Sequence, residues 1–201
     1  MKLRKWYRKP GKEESMRLNN LCGVTLIVFL TMGCSVTYRA EIFPIPPYLE
    51  VNEFQGEGEA ISIKNEAREG VVHIKNTLFV GGEYYVGEPD VYHYYADLKQ
   101  VTDVTVSFLA EELSKKGFLV RGDASKSISL NVTGINLAYI FPSFHCFIEM
   151  EYRISDGFNQ TVSAYHSSDR YARACNGAIT RGVVELLNDE DLIDFLKSKE
   201  R

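Results

Sequence analysis

The stretch 126–154, KSISLNVTGINLAYIFPSFHCFIEMEYRI, decides the fold because apolar and polar residues alternate along most of it. Its first part places Ile128, Leu130 and Val132 on one side, with serine, asparagine and threonine on the other. Residues 144–154 repeat this alternation with larger apolar side chains. A period of two is typical of strands with one buried and one solvated face. The stretch therefore predicts two long strands of a sheet covered on one side.

The alternating strand pattern continues on both sides of Gly134, where it shifts by one residue. Past Gly134 the apolar positions move by one residue, and such a shift at a glycine indicates a β-bulge. Asp156 and Gly157 mark a turn, after which residues 160–166 return antiparallel. Ahead of the stretch, residues 61–63 and 71–80 predict two further strands.

Two main helices interrupt and follow the strands. Residues 101–116 have a narrow polar stripe and a wide apolar face, which predicts a helix packed on a sheet and a neighbouring helix. Gly117 is the expected stop. Residues 170–187 predict the second helix, and a short last helix ends at Leu196. The order predicts an α+β two-layer sandwich, a mostly antiparallel sheet with two main helices packed on one face.

The chain begins with a basic segment followed by an apolar one. Residues 1–33 hold seven Lys and Arg against two Asp and Glu, whereas residues 34–201 hold 16 against 25. The apolar run 21–30 is shorter than the roughly 20 residues of a bilayer span but matches a signal-peptide core. We therefore expect residues 1–33 to be a signal peptide, with Met16 as a possible true start. The alternative is that residues 21–30 form a buried element of a cytosolic domain.

The residues that follow the apolar run, LTMGC at positions 30–34, resemble a bacterial lipobox. The resemblance implies that the thiol of Cys34 is lipidated, that the chain is cleaved before it, and that the lipid anchors the protein to a membrane. It also implies the outer membrane, because Ser35 stands where an inner-membrane retention signal has Asp. The domain then faces the periplasm of the cell envelope.

Residues 34–59 separate this cysteine from the first strong pattern. Three prolines in FPIPPY and the glycines at 56 and 58 favour an extended path without a core of its own. We expect this segment to be a flexible tether and residues 60–201 to form a single periplasmic domain. The acidic balance of the domain argues against nucleic acid as a partner, since phosphate binding needs a positive stripe.

A tyrosine-rich segment follows the glycines at 81 and 82. Its aromatic and imidazole side chains are Tyr84, Tyr85, Tyr92, His93, Tyr94 and Tyr95. One interpretation is a loop whose rings cover one end of the sheet. The other is a partner-binding patch, because tyrosine offers a large amphipathic ring at low entropy cost.

Two cysteines remain after Cys22 in the leader and Cys34 are set aside. Cys146 lies on the apolar side of its strand, and Cys175 lies on the inner stripe of the second helix. In an oxidising compartment they could form a disulfide, and the alternative is two buried free thiols.

No motif of a catalytic, metal or cofactor site is present in the sequence. The histidines at 73, 93, 145 and 166 lack the spacing of metal ligands. Glu149 and Glu151 share a strand face with Arg153, which favours a solvated surface over a paired-carboxylate site. We therefore expect no enzyme, no metal and no cofactor.

Three segments together resemble the YajG-type family of outer-membrane lipoproteins over about residues 71–197. They are FLAEELSKKGFLV at 108–120, SLNVTGINL at 129–137 and DLIDFL at 191–196. The resemblance implies an envelope lipoprotein without catalytic residues.

We expect this protein to bind or scaffold an envelope protein, with an accessory subunit of a lipid or lipopolysaccharide transport assembly as the alternative. A scaffold predicts an exposed aromatic patch without a deep cavity. A lipid-handling subunit predicts an apolar groove of several hundred Å³. An enzyme predicts a cleft in which titratable groups with shifted pKa values converge.

Overall fold

The computed structural model describes residues 34–41, 44–46, 49–80, 83–86 and 92–198. The predicted signal peptide, its possible start at Met16 and both interpretations of residues 21–30 lie outside these ranges.

Ten strands and three helices make up the described chain. The strands are β1 (Cys34–Tyr38), β2 (Ala60–Asn65), β3 (Val71–His73), β4 (Lys75–Val80), β5 (Glu83–Val86), β6 (Tyr92–Asp97), β7 (Leu119–Val120), β8 (Ser127–Ile140), β9 (Ser143–Ile154) and β10 (Asn159–Ser168). The helices are α1 (Leu98–Lys115), α2 (Tyr171–Leu187) and α3 (Glu190–Lys197). No helix in the described part of the chain is long and apolar enough to cross a membrane.

Seven of the strands form one mixed sheet. Its main order is β10-β9-β8-β2-β7, and β4 joins it through β8 and carries β5. The β8–β9 and β9–β10 pairs are antiparallel, as the alternating stretch predicts. In contrast, β2 and β4 both pair with β8 in parallel, because the chain crosses over through α1 before it reaches β8. A second sheet has the order β1-β6-β3.

Both main helices cover the apolar side of the large sheet, which confirms the α+β fold. Along β9 the residues from Cys146 to Ile154 alternate between buried and exposed, so only one face of the sheet is covered. Helix α1 contacts β2 and β8, whereas α2 contacts β9 and β10, and the two helices contact each other. The predicted β-bulge is confirmed by a register shift between Val132 and Gly134.

Helix α1 begins three residues earlier than the apolar pattern predicts. The carboxylate of Asp97 accepts hydrogen bonds from the backbone N–H groups of Lys99 and Gln100, at 3.0 and 3.3 Å. These bonds satisfy two of the first N–H groups of the helix, which lack partners within it. Gly117 ends the helix with a φ of 91°, a conformation that favours glycine.

The segment predicted to be a flexible tether contributes to the core, and this expectation is corrected. Residues 37–41, 44–46 and 49–59, here called the strap, place Tyr38, Ala40 and Phe54 in buried positions. The strap has no periodicity because isolated side chains, rather than a continuous face, hold it in place. Such anchors leave no pattern in the sequence.

Hydrogen bonds tie the strap to both main helices. The hydroxyl of the buried Tyr38 donates to Oδ1 of Asn176 in the middle of α2. The backbone N–H of Asn52 donates to Oδ1 of Asn188 at the end of α2, at 2.6 Å. The backbone N–H of Gly56 donates to the carbonyl oxygen of Lys116 after α1, at 2.8 Å. The strap is therefore held against the helical layer and is not a free tether.

Lys126 holds the end of α3. The side chain is 6% exposed, and its ammonium donates to the carbonyl oxygens of Leu196 and Ser198 at 2.9 and 2.7 Å. It also lies 5.1 Å from the centre of the Phe195 ring. A cation at a helix C-terminus is favoured by the helix dipole.

We expect Lys126→Met to lower the free energy of unfolding by about 2–4 kcal/mol, because it removes two charge-assisted hydrogen bonds, one of them to the buried carbonyl group of Leu196. Urea denaturation followed by circular dichroism measures the change. The matched control is Lys64→Met, since Lys64 is exposed on neighbouring β2 and its replacement should cost less than about 0.5 kcal/mol. Equal losses in both variants would show that the capping contacts contribute nothing.

Candidate functional site

Most of the predicted site residues lie where their side chains are not described. Cys34 is the first residue of β1, and its side chain is outside the described part. The same holds for the side chains of Tyr84 and Tyr85 in β5, and of Tyr92 and His93 in β6. The lipidation of Cys34 and the contact role of these four side chains stay predictions.

The tyrosine-rich segment forms strands rather than the expected loop. Its residues make up β5 and β6, separated by residues outside the described ranges. Tyr94 is buried, and its ring lies 5.0 Å from that of Tyr171, centre to centre. Tyr95 is half-buried. Tyr94 therefore belongs to the core, because alternate residues of β6 face opposite sides.

Cys146 and Cys175 form a disulfide that joins the two layers. Their Cα atoms are 5.0 Å apart, and 29 positions separate them in the sequence. Both residues are buried, one on β9 and the other on α2. Within the described ranges, no group of three or more His, Cys, Asp or Glu side chains could hold a metal ion.

An aromatic cluster lies on the uncovered face of the large sheet. Phe147 of β9 and Tyr165 of β10 are directly opposite each other, with ring centres 4.8 Å apart. They are 46% and 39% exposed. His145 stacks on Tyr165, and its Nδ1 shares a hydrogen bond of 2.6 Å with the tyrosine hydroxyl. We call these three residues the open-face cluster.

The open-face cluster was not predictable from the sequence pattern, for an identifiable reason. Phe147 and Tyr165 stand at positions where the period-two pattern calls for polar residues. Their neighbours on the same face include glutamate on β9 and serine on β10. A large ring at a polar position of a strand is the signal that could have found each one. Their contact across the strands depends on register, which the pattern does not determine.

Strand β10 is an edge of the large sheet beside this cluster. Among the described strands it pairs with β9 alone. Its ten residues, NQTVSAYHSS, include no Asp, Glu, Lys, Arg or Pro. Natural edge strands are usually protected from pairing with other chains by charges, prolines or bulges. This strand carries no such protection in its sequence.

The concave surfaces differ in chemistry. A groove of about 450 Å³ beside the uncovered face is lined by charged side chains that include Glu69, Glu151 and Arg153. A second, of about 520 Å³, lies near Glu57, Asp123 and Lys126. A smaller one of about 260 Å³ lies between α2 and the strap. Polar and charged residues make up most of the lining of the two larger concavities, whereas a lipid-handling subunit is expected to have an apolar groove.

Comparison with known proteins gives partial likenesses only. No protein-family model matches this chain, and no curated protein matches it. A crystal structure of a Xanthomonas campestris protein, described with the family model DUF330, is 14% identical, with a TM-score of 0.43, over 81% of this chain and 94% of that one. An uncharacterised protein is 12% identical, with a TM-score of 0.41, over 77% and 94%.

A third solved structure is lipoprotein GNA1162 from Neisseria meningitidis. It is 12% identical, with a TM-score of 0.34, over 65% of this chain and 96% of that one. Neither family nor function follows from likenesses of this size. The resemblances to a lipobox and to YajG-type lipoproteins stay predictions.

Proposed function

We propose that this protein is a lipid-anchored lipoprotein of the bacterial cell envelope that binds another envelope protein and catalyses no reaction. The anchor is lipid, including palmitate, on Cys34, and the favoured site is the outer membrane with the domain in the periplasm. The basic leader, the apolar run at 21–30 and the LTMGC segment support this anchor. Labelling with palmitate in the wild type and in Cys34→Ala tests it.

The binding role rests on one observation: two exposed aromatic rings stand at an edge strand whose ten residues include no protective charge or proline. Phe147 and Tyr165 present apolar area to solvent next to the ten uncharged residues of β10. An extended segment that adds to a sheet edge gains backbone hydrogen bonds, and nearby side chains supply specificity. We infer a partner protein that presents an uncharged strand to β10 and an apolar side chain to the open-face cluster.

The chemistry of the uncovered face also supports binding over catalysis. Glu149, Glu151 and Arg153 are exposed along β9, so charges of both signs are solvated together. The alternative of a lipid or lipopolysaccharide transport subunit predicts a large apolar groove. The described concavities above 400 Å³ are lined mainly by polar and charged residues, which favours the protein-binding role.

The proposal is tested by photo-crosslinking in cells. A photoreactive phenylalanine analogue replaces Tyr165, and a matched control carries it at Leu119, which is 57% exposed on β7. We expect irradiation to give a discrete protein adduct at position 165 and none at 119. Adding Ser163→Lys, which puts a charge on the exposed side of β10, should reduce the adduct several-fold.

Two outcomes contradict the binding role. One is equal adduct formation at positions 165 and 119, which would show random encounters. The other is an adduct insensitive to Ser163→Lys, which would show that β10 is not the contact. Ser163 is exposed, so the substitution should leave folding intact, and the yield of soluble domain checks this.

A further inference from the structure

A pocket with basic side chains lies between α2, the end of β10 and the strap. Its volume is about 260 Å³. The polar residues that line it are His166, Ser168, Arg173, Thr180 and Arg181. Pro44, Pro46 and Leu49 of the strap form the opposite wall. We call this the basic pocket, and it stands out because residues 34–201 hold 25 acidic against 16 basic residues.

The geometry of α2 brings the basic groups together. Arg173, Gly177 and Arg181 are four residues apart, so they lie along one face of the helix at intervals of about 6 Å. The ring of His166 is seated on Gly177, where an added Cβ would lie 2.1 Å from its Cδ2 atom. The imidazole therefore lies between the positions of the two arginines.

The basic side chains are the main hydrogen-bond donors of the lining, because each guanidinium carries five N–H groups. The hydroxyl of Ser168 instead donates to Oδ1 of Asp169, at 3.0 Å. None of the described residues that line the pocket carries a carboxylate. Asp169 is the neighbouring acid. Its side chain is exposed, and its carboxylate lies 3.6 Å from the Arg173 guanidinium. The lining favours an anion whose oxygens accept several hydrogen bonds at once.

We propose that the basic pocket binds a phosphate group, carried either by free phosphate or by the phosphorylated headgroup of a larger molecule. A phosphate group offers three or four oxygens to the two guanidinium groups, whereas a carboxylate offers two. Arginine forks match phosphate oxygens in a bidentate geometry. The prolines and Leu49 leave an apolar wall for a small group attached to the phosphate.

The pKa of His166 should show directly whether the basic pocket holds a phosphate group. Burial, and then the positive charge of Arg181, lower the pKa of His166. The charged groups that face it from α2 are Arg173 and Arg181, and the strap residues at the pocket are uncharged. A bound phosphate adds negative charge beside the ring and offsets Arg181. We therefore expect the pKa of His166 to rise when phosphate binds.

The test is an NMR titration of the full chain in a detergent with an uncharged headgroup. The ring resonance of His166 is assigned with His166→Gln, and sodium phosphate, glycerol 3-phosphate or sodium chloride is added at constant ionic strength. We expect a saturable shift with both phosphates and none with chloride. His145 serves as an internal control, because its ring is hydrogen-bonded to Tyr165 on the uncovered face, away from the basic pocket.

Variants separate this pocket from general charge effects. Arg173→Gln and Arg181→Gln should each weaken phosphate binding at least tenfold. Arg153→Gln, an exposed arginine on the uncovered face, should leave it unchanged. Tighter binding of glycerol 3-phosphate than of phosphate assigns the site to a headgroup, and equal binding assigns it to free phosphate. No saturable shift, or full affinity in Arg173→Gln, overturns the proposal, which does not depend on the lipid anchor.

Discussion

Replacing Cys34 with alanine is expected to abolish incorporation of radiolabelled palmitate in the native host and to release the chain from the membrane fraction. The physical reason is that each buried methylene contributes about 0.8 kcal/mol, so two or three acyl chains on one thiol hold a soluble domain firmly. Without that thiol no acyl chain is attached at this position. Fluorography of immunoprecipitated protein and separation of membrane and soluble fractions measure the two effects.

The sequence provides its own control for this experiment. Cys22 lies 12 residues before Cys34, inside the predicted signal peptide, so Cys22→Ala should keep the label and the membrane attachment. Label retained in Cys34→Ala would place the lipid elsewhere. Label missing from the wild type would end the lipoprotein proposal. Residues 21–34 would then have to be part of a core or an ordinary cleaved signal.

The strap changes what an anchor at Cys34 would do. Tyr38 is buried, and it lies only four positions after Cys34 in β1. At about 3.3 Å per residue a strand of this length spans about 13 Å. A lipid on Cys34 would therefore hold the domain close to the bilayer surface, not at the end of a long tether. Partners of the open-face cluster would be met near the membrane.

Removing the disulfide is expected to cause the largest loss of stability. We expect Cys146→Ala combined with Cys175→Ala to lower the free energy of unfolding by about 3–4 kcal/mol, because the bond closes a loop of about 30 residues. Much of a typical domain's stability, about 5–15 kcal/mol, would be lost. Urea denaturation of the wild type and the double variant under oxidising conditions measures this change.

Adding a reductant distinguishes the contribution of the disulfide to stability from that of the two replaced side chains. The wild type should lose a similar free energy when a thiol reductant is added, whereas the double variant should not respond. Both cysteines are at most 2% exposed, so the alanines also leave small cavities, and the reductant arm corrects for them. Alkylation of Cys146 and Cys175 themselves in the unreduced, unfolded wild type, located by peptide mass mapping, would contradict the expectation.

Local patterns predicted the strands and helices that have one buried face. The alternation of β8 and β9, the bulge at Gly134 and the body of α1 are all visible within a few neighbouring residues. The parallel pairing of β2 and β4 with β8 was not predicted, because a short apolar strand looks the same in either direction. The start of α1 was also missed, because its cap at Asp97 follows a run of aromatic residues that does not look like the start of a helix.

The candidate sites were less predictable than the fold. The sequence predicts lipidation at Cys34 from a local string of residues, and it named Cys146 and Cys175 as a possible pair. It did not identify the open-face cluster or the basic pocket. Each of these requires residues from two or more elements to meet.

The sequence by itself determined which residues of β8 and β9 face the core, because this depends on a period of two residues. For α1 it indicated the buried apolar face but not Thr102 and Thr105, which are also fully buried. Only the tertiary structure decided which distant residues touch. It placed the strap on the helices, Phe147 against Tyr165, and His166 on Gly177 between Arg173 and Arg181. Such contacts depend on strand register and on helix packing over the whole core. Both are set by the sum of many long-range contacts, and no short segment carries that information.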